Sequence, residues 1–134
     1  MWMEKVQYER AGALGGARVL IVEDDFFILT ELEGILTDAG AQAAVPCRNV
    51  SEALWALDRH CIEVAILDVR LGGETVAPVA RELSRRQTPF LFYTGQIGSD
   101  PDLAEWSTGR DCRIIGKPAA SQTIVAALAD LFNR

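Results

Sequence analysis

At 134 residues the chain fits one domain and leaves little for a second. Nineteen acids against 13 bases give a net charge of −6, which excludes non-specific DNA or RNA binding, since that needs clustered Lys and Arg. Nothing approaches the ~20 apolar residues of a membrane helix, and the polar, mixed-charge start from Met1 to Arg10 holds no visible signal peptide.

The hydrophobic content of 49% is that of an ordinary globular protein. The three cysteines, Cys47, Cys61 and Cys112, are odd in number and have no paired spacing. They are expected to be buried free thiols, in a reducing cytoplasm.

Residues 1–17 show no clear period and end in a Gly-rich run, Gly12 to Ala17. They are expected to form an extension with a flexible hinge. A phosphate-cradling loop must follow a strand and open a helix, and this run precedes the first strand. Arg18 to Val22 is a short apolar, β-branched run, as in a strand buried on both faces. A helix is predicted over about 25–39, with apolar residues at helical spacing and Gly40 as its stop. Ala41 to Val45 reads as a weak strand ended by Pro46. Asn49 with Glu52 resembles a capping box, opening a second helix to about Arg59. Ile62 to Leu67 is a third strand. A third helix is predicted over 74–85, with Pro78 tolerable only in its first turn. Pro89 to Tyr93 is a fourth strand, 101–106 a short helix, Arg113 to Ile115 a fifth strand, and 120–132 a final helix with Ile124, Leu128 and Leu131 inward.

Strands separated by helices imply parallel pairing through right-handed crossovers. Five such units predict a doubly wound five-stranded α/β sheet, (βα)5 and flavodoxin-like. Ligands of such sheets bind at the carboxyl ends of the strands. Glu23, Asp24 and Asp25 follow the first apolar run, Asp68 the third, Thr94 and Gly95 close the fourth, and Gly116, Lys117 and Pro118 follow the fifth. Carboxylates gathered at one edge repel, by roughly 4 kcal/mol per pair at ~4 Å and an effective dielectric near 20. A hard divalent cation resolves this, and oxygen donors with water suit Mg²⁺. A carboxylate, a metal, a hydroxyl and an ammonium are together the parts for phosphoryl transfer to an aspartate. Alone, each motif is most often a solvated loop, a helix cap or a turn; the case rests on all four following apolar strands in order.

Over residues 18–134 the sequence resembles a response-regulator receiver domain of the CheY-like kind. The matching text is Val19-Leu-Ile-Val-Glu-Asp-Asp25, Ala65-Ile-Leu-Asp-Val69, Phe92-Tyr-Thr-Gly95 and Gly116-Lys-Pro118. The resemblance implies that Asp68 is the phosphoacceptor. It implies that Glu23 and Asp24 hold Mg²⁺, with Asp24 the direct ligand, and that Asp68 and the backbone carbonyl of Arg70 complete the protein ligands. Thr94 is then expected to bond a phosphoryl oxygen, and Lys117 to pair with phosphate oxygens. Two departures stand out. Ile114 stands where receivers usually carry the aromatic that swings inward on activation, and Gly72 replaces the usual Pro four residues after the phosphoacceptor. With Pro89 to Gly95 these features resemble the FAT GUY subgroup of small receivers, although Tyr93 replaces its Ala and Gln96 its aromatic.

The function expected is that of a single-domain response regulator in a two-component phosphorelay. A histidine kinase or phosphotransfer protein is the expected donor, no nucleic acid or membrane is engaged, and no enzymatic turnover of an external substrate is expected. With no effector domain expected after Arg134, output falls to a protein contact or to a phosphate-sink role. Two alternatives stand beside this. A pseudo-receiver would bind without phosphorylation, against which Asp68, Thr94 and Lys117 are intact. A small aspartyl phosphohydrolase resembles Asp-x-Asp at the first strand, whereas the acceptor-like Asp68 follows the third.

Overall fold

The computed structural model describes residues 12–95 and 112–134. In chain order the elements are β1 (Arg18–Val22), α1 (Phe26–Asp38), β2 (Ala43–Cys47), α2 (Val50–Arg59), β3 (Val64–Leu67), β4 (Arg70–Leu71), β5 (Glu74–Thr75), α3 (Ala77–Arg85), β6 (Phe90–Thr94), β7 (Cys112–Gly116) and α4 (Ser121–Phe132). Five strands make one parallel sheet in the order β2-β1-β3-β6-β7, the doubly wound α/β arrangement expected from the sequence. The chain leaves β1 for β2 on one side and returns to β3 on the other, which opens a crevice at the carboxyl ends of β1 and β3.

Side chains alternate between the sheet faces. Leu20 and Val22 of β1 join Ala65 and Leu67 of β3 against α2 and α3. Val19 and Ile21 join Val64 and Ile66 against α1 and α4. With both faces covered, β1, β3 and β6 read as continuous apolar runs. Ile124, Leu128 and Leu131 of α4 point inward as expected. Among the described residues no helix is long and apolar enough to cross a membrane.

Several local expectations are corrected. The Gly12 to Ala17 run is docked rather than a free hinge. Leu14 is 0% exposed within the α1/α4 core. Its N–H donates to the Ala39 carbonyl at 2.9 Å, and the Ala17 carbonyl accepts from Gln42 at 2.7 Å. Gly12 has φ +99, and a Cβ there would stand 2.2 Å from the Ala39 oxygen, so this contact requires glycine. Residues 1–11 lie outside the described residues.

The third helix begins at Ala77, not at residue 74. Glu74 and Thr75 instead pair antiparallel with Leu71 and Arg70, and the hairpin turns at Gly72 and Gly73. Pro78 falls in the first turn of α3, where its missing N–H has no helical partner to lose. β2 continues through Pro46, which is tolerated because this is an edge strand. The capping box is offset by one residue: the Asn49 side chain accepts from the Glu52 N–H at 2.8 Å, while Glu52 accepts from the N–H of Arg48 at 2.8 Å. Cys47 is buried, but Cys61 is exposed in the connection that follows α2. The Cys112 side chain, the helix expected at 101–106 and Gln96 fall outside what is described.

Candidate functional site

The parallel pairing of Val22 with Leu67 ends β1 and β3 side by side. Glu23 and Asp68 therefore leave the sheet together. The Asp68 N–H donates to the Val22 carbonyl at 2.9 Å, and the Glu23 N–H to the Cys47 carbonyl at 3.0 Å, so both backbones are fixed. One oxygen each from Glu23, Asp24 and Asp68 lies within 4.8 Å of the others. Asp25 stands apart from this group. Its Oδ1 accepts from the N–H groups of Phe27 at 2.9 Å and Ile28 at 3.1 Å, capping α1.

Lys117 closes the far side. β7 pairs with β6 through Thr94 and Gly116, and the Lys117 N–H donates to the Thr94 carbonyl at 2.9 Å. Its ammonium lies 2.5 Å from Glu23 and 3.0 Å from Asp68. Glu23 is 2% exposed. Burial pushes its carboxyl up to about 7, against the lowering effect of the Lys117 ammonium and the Asp25 N–H; the nearby Asp68 raises it further. Lys117 itself is raised, its two carboxylate partners outweighing the burial that lowers it. Thr94 is buried at the end of β6.

Arg70 opens the β4–β5 hairpin, two residues beyond Asp68. Two bonds hold this hairpin in place. The Val76 N–H donates to the Val69 carbonyl at 2.9 Å, and Glu74 accepts from the Val50 N–H of α2 at 3.1 Å. Gly72, at φ +64, sits so that a Cβ would lie 4.0 Å from Asp24 Oδ2. The turn of the hairpin thus lies close to Asp24. Ile114 is half-buried and packs on the α2/α3 core.

Glu23, Asp24, Asp68 and Lys117 are therefore brought together, with Thr94 and Arg70 on the flanking elements. An all-oxygen donor set of three carboxylates fits a hard divalent cation such as Mg²⁺. Two residues around the site, Glu74 and Tyr93, make contacts that local sequence patterns do not show. Glu74, expected to open the third helix, instead latches the hairpin to α2. The Tyr93 hydroxyl, at a position that the resemblance marks only as a departure from Ala, accepts from the Ala119 N–H at 3.3 Å. Phe26 and Phe27, directly after the acidic run in the chain, are 59% and 83% exposed.

The response regulator receiver domain family matches residues 19–129. Among solved structures, a response regulator receiver protein from Sinorhizobium medicae WSM419 is 27% identical, covers 88% of this chain and 95% of its own, and superposes with a TM-score of 0.72. The chemotaxis protein CheY4 of Vibrio cholerae is 24% identical over 87% of this chain and 99% of its own, with a TM-score of 0.74. A receiver domain protein from Clostridium thermocellum is 22% identical over 88% and 95%, with a TM-score of 0.76. The last two show the shared fold. No match is found among curated proteins. These matches return the family without distinguishing the FAT GUY subgroup.

Proposed function

The chain belongs to the response regulator receiver domain family, and from that premise we propose that it accepts a phosphoryl group on Asp68 from a histidine kinase or a phosphotransfer protein. The observation that carries this reading is the meeting of Asp68 with Glu23, Asp24 and Lys117 at the crevice of the sheet. A carboxylate nucleophile with positioned counter-charges suits phosphoryl transfer, which is governed by alignment and charge neutralisation.

Asp24 and Asp68 would hold Mg²⁺, with Glu23 beside them and the Arg70 carbonyl from the hairpin. When bound, the ion supplies neutralisation of the phosphoryl oxygens. A carboxylate oxygen of Asp68 forms the new P–O bond as the P–N bond of the donor phosphohistidine breaks, and the imidazole leaves with the electron pair. Lys117, already 3.0 Å from Asp68, follows the transferred oxygens with its ammonium. Thr94 donates its hydroxyl to another of them. The protein turns over no external substrate, and its chemistry is limited to gaining and losing its own phosphoryl group.

Phe26 and Phe27 support the partner side of the reading. Two exposed rings directly after the acidic residues offer an apolar hold for the protein that delivers the phosphohistidine. A binding module that is never phosphorylated would not need the Lys117–Asp68 contact. A phosphomonoester hydrolase would release phosphate continuously, whereas the reading here gives a single stoichiometric label. Intact-mass analysis with acetyl phosphate, paired with a phosphate-release assay on a generic phosphomonoester, tests all three. One added phosphoryl group, dependent on Mg²⁺, is expected; no label, or continuous phosphate release from a generic monoester, would overturn the proposal.

A further inference from the structure

We propose that Tyr93 is a positioning residue for Lys117, tying the end of β6 to the loop that carries the lysine. This rests on the phosphoacceptor reading of Asp68.

Tyr93 is the penultimate residue of β6. Its ring is buried in the α1/α4 core, while Thr94, the next residue, faces the other way. A buried tyrosine needs a partner for its hydroxyl. Here the partner is the Ala119 N–H, at 3.3 Å. Ala119 is the second residue after Lys117. Pro118 between them has no N–H to give, so Ala119 holds the first backbone donor beyond the lysine. On the other side, the Lys117 N–H is bonded to the Thr94 carbonyl at 2.9 Å. The loop is thus pinned to consecutive β6 residues on both sides of Lys117.

The ring also faces the ammonium. Lys117 Nζ lies 5.5 Å from the centroid of Tyr93, within the range of a cation–π contact. A free lysine side chain samples many rotamers, and ordering it opposes the bonds it makes. A buried ring on one side and two carboxylates on the other narrow that choice before any phosphodonor arrives. An alanine at position 93 would offer neither the hydroxyl nor the ring. Tyr93 also gives the ends of β6 and β7 a direct connection that does not pass through Ile114.

Tyr93→Phe removes the hydroxyl and keeps the ring; Tyr93→Leu removes both while still filling the core. Labelling of Asp68 at saturating acetyl phosphate and Mg²⁺ should slow roughly two- to tenfold in Tyr93→Phe, the range of one neutral hydrogen bond. It should slow further in Tyr93→Leu. The donor concentration for half-maximal rate and the Mg²⁺ affinity should stay near wild type, because the carboxylates are untouched. A merely structural role would not produce that split.

A second measurement needs no phosphorylation. The Lys117 side-chain methylene NMR signals of the metal-free protein should carry a ring shift that persists in Tyr93→Phe and vanishes in Tyr93→Leu. Unchanged Lys117 signals in Tyr93→Leu, or wild-type labelling rates in both variants, would overturn the proposal. If wild type is never labelled, the phosphoacceptor reading fails, and the Lys117 signals still decide whether Tyr93 positions the lysine.

Discussion

Lys117 and Asp68, 49 residues apart in sequence, meet at 3.0 Å where β7 and β3 end. Their contact is charge-assisted, and such bonds contribute about 1.5–3 kcal/mol. Lys117→Ala should therefore slow Asp68 labelling by one to two orders of magnitude. Asp68→Asn should abolish it, leaving no phosphoryl mass on any other residue. A second labelled aspartate would contradict the assignment.

Asp24 and Asp25 are neighbours with separate duties. Asp24 lies in the acidic group, while Asp25 caps α1 through Phe27 and Ile28. Asp24→Asn should weaken Mg²⁺ binding strongly. Asp25→Ala should lower stability by about 1 kcal/mol through the lost cap, with a much smaller effect on Mg²⁺. Titration calorimetry and denaturant melts on the two variants separate these effects; equal losses of Mg²⁺ affinity would overturn the division.

The raised carboxyl of Glu23 makes the metal-free protein sensitive to pH. A folded value of about 7 against the ordinary 4.5 means that the native state holds the extra proton between those values. Stability should then fall as pH rises from about 4.5 through about 7. Mg²⁺ must compete with the same proton, so its affinity should climb over that interval. Glu23→Gln should flatten the stability profile. A metal-free stability that increases with pH across the interval would refute the sign.

Leu14 is fully buried, so the packed domain begins before β1. Leu14→Ala should lower stability by about 2–5 kcal/mol, as for other core leucines. A truncation that begins at Ala17 deletes the same side chain and should melt well below the full chain. An unchanged melting temperature in both would show that this contact contributes nothing.

Phe27 follows the acidic run in the chain and is exposed at 83%. Phe27→Ala should leave labelling by acetyl phosphate at the wild-type rate. Transfer from a phosphorylated histidine protein should slow by roughly tenfold, the effect of losing one aromatic anchor. Equal rates from the protein donor would remove Phe27 from the docking surface.

Much of this architecture was legible because the signals were periodic. Continuous apolar runs marked β1, β3 and β6, and the ends of those strands together with β7 pointed to Glu23, Asp24, Asp68, Thr94 and Lys117. What was lost was aperiodic. Leu14 is one apolar residue in a glycine-rich stretch, and it packs with α1 and α4 residues distant in sequence, which no local pattern reveals. The pairing of Glu74 leaves no trace in the sequence, because a two-residue strand pair is too short for an alternating signature. The Tyr93 hydroxyl bond crosses from one strand end to a distant loop, so it exists only once β6 and β7 are adjacent. Exposure of Cys61 followed from its position beyond the last turn of α2, which composition alone could not locate.

Pro46 has a consequence beyond its tolerance in β2. Among the described residues that strand borders the sheet, and an open border invites another chain to extend the ladder. A proline there withholds one donor from any incoming strand, so a second molecule would meet an interrupted template. Strand addition along β2 is thereby discouraged at that position.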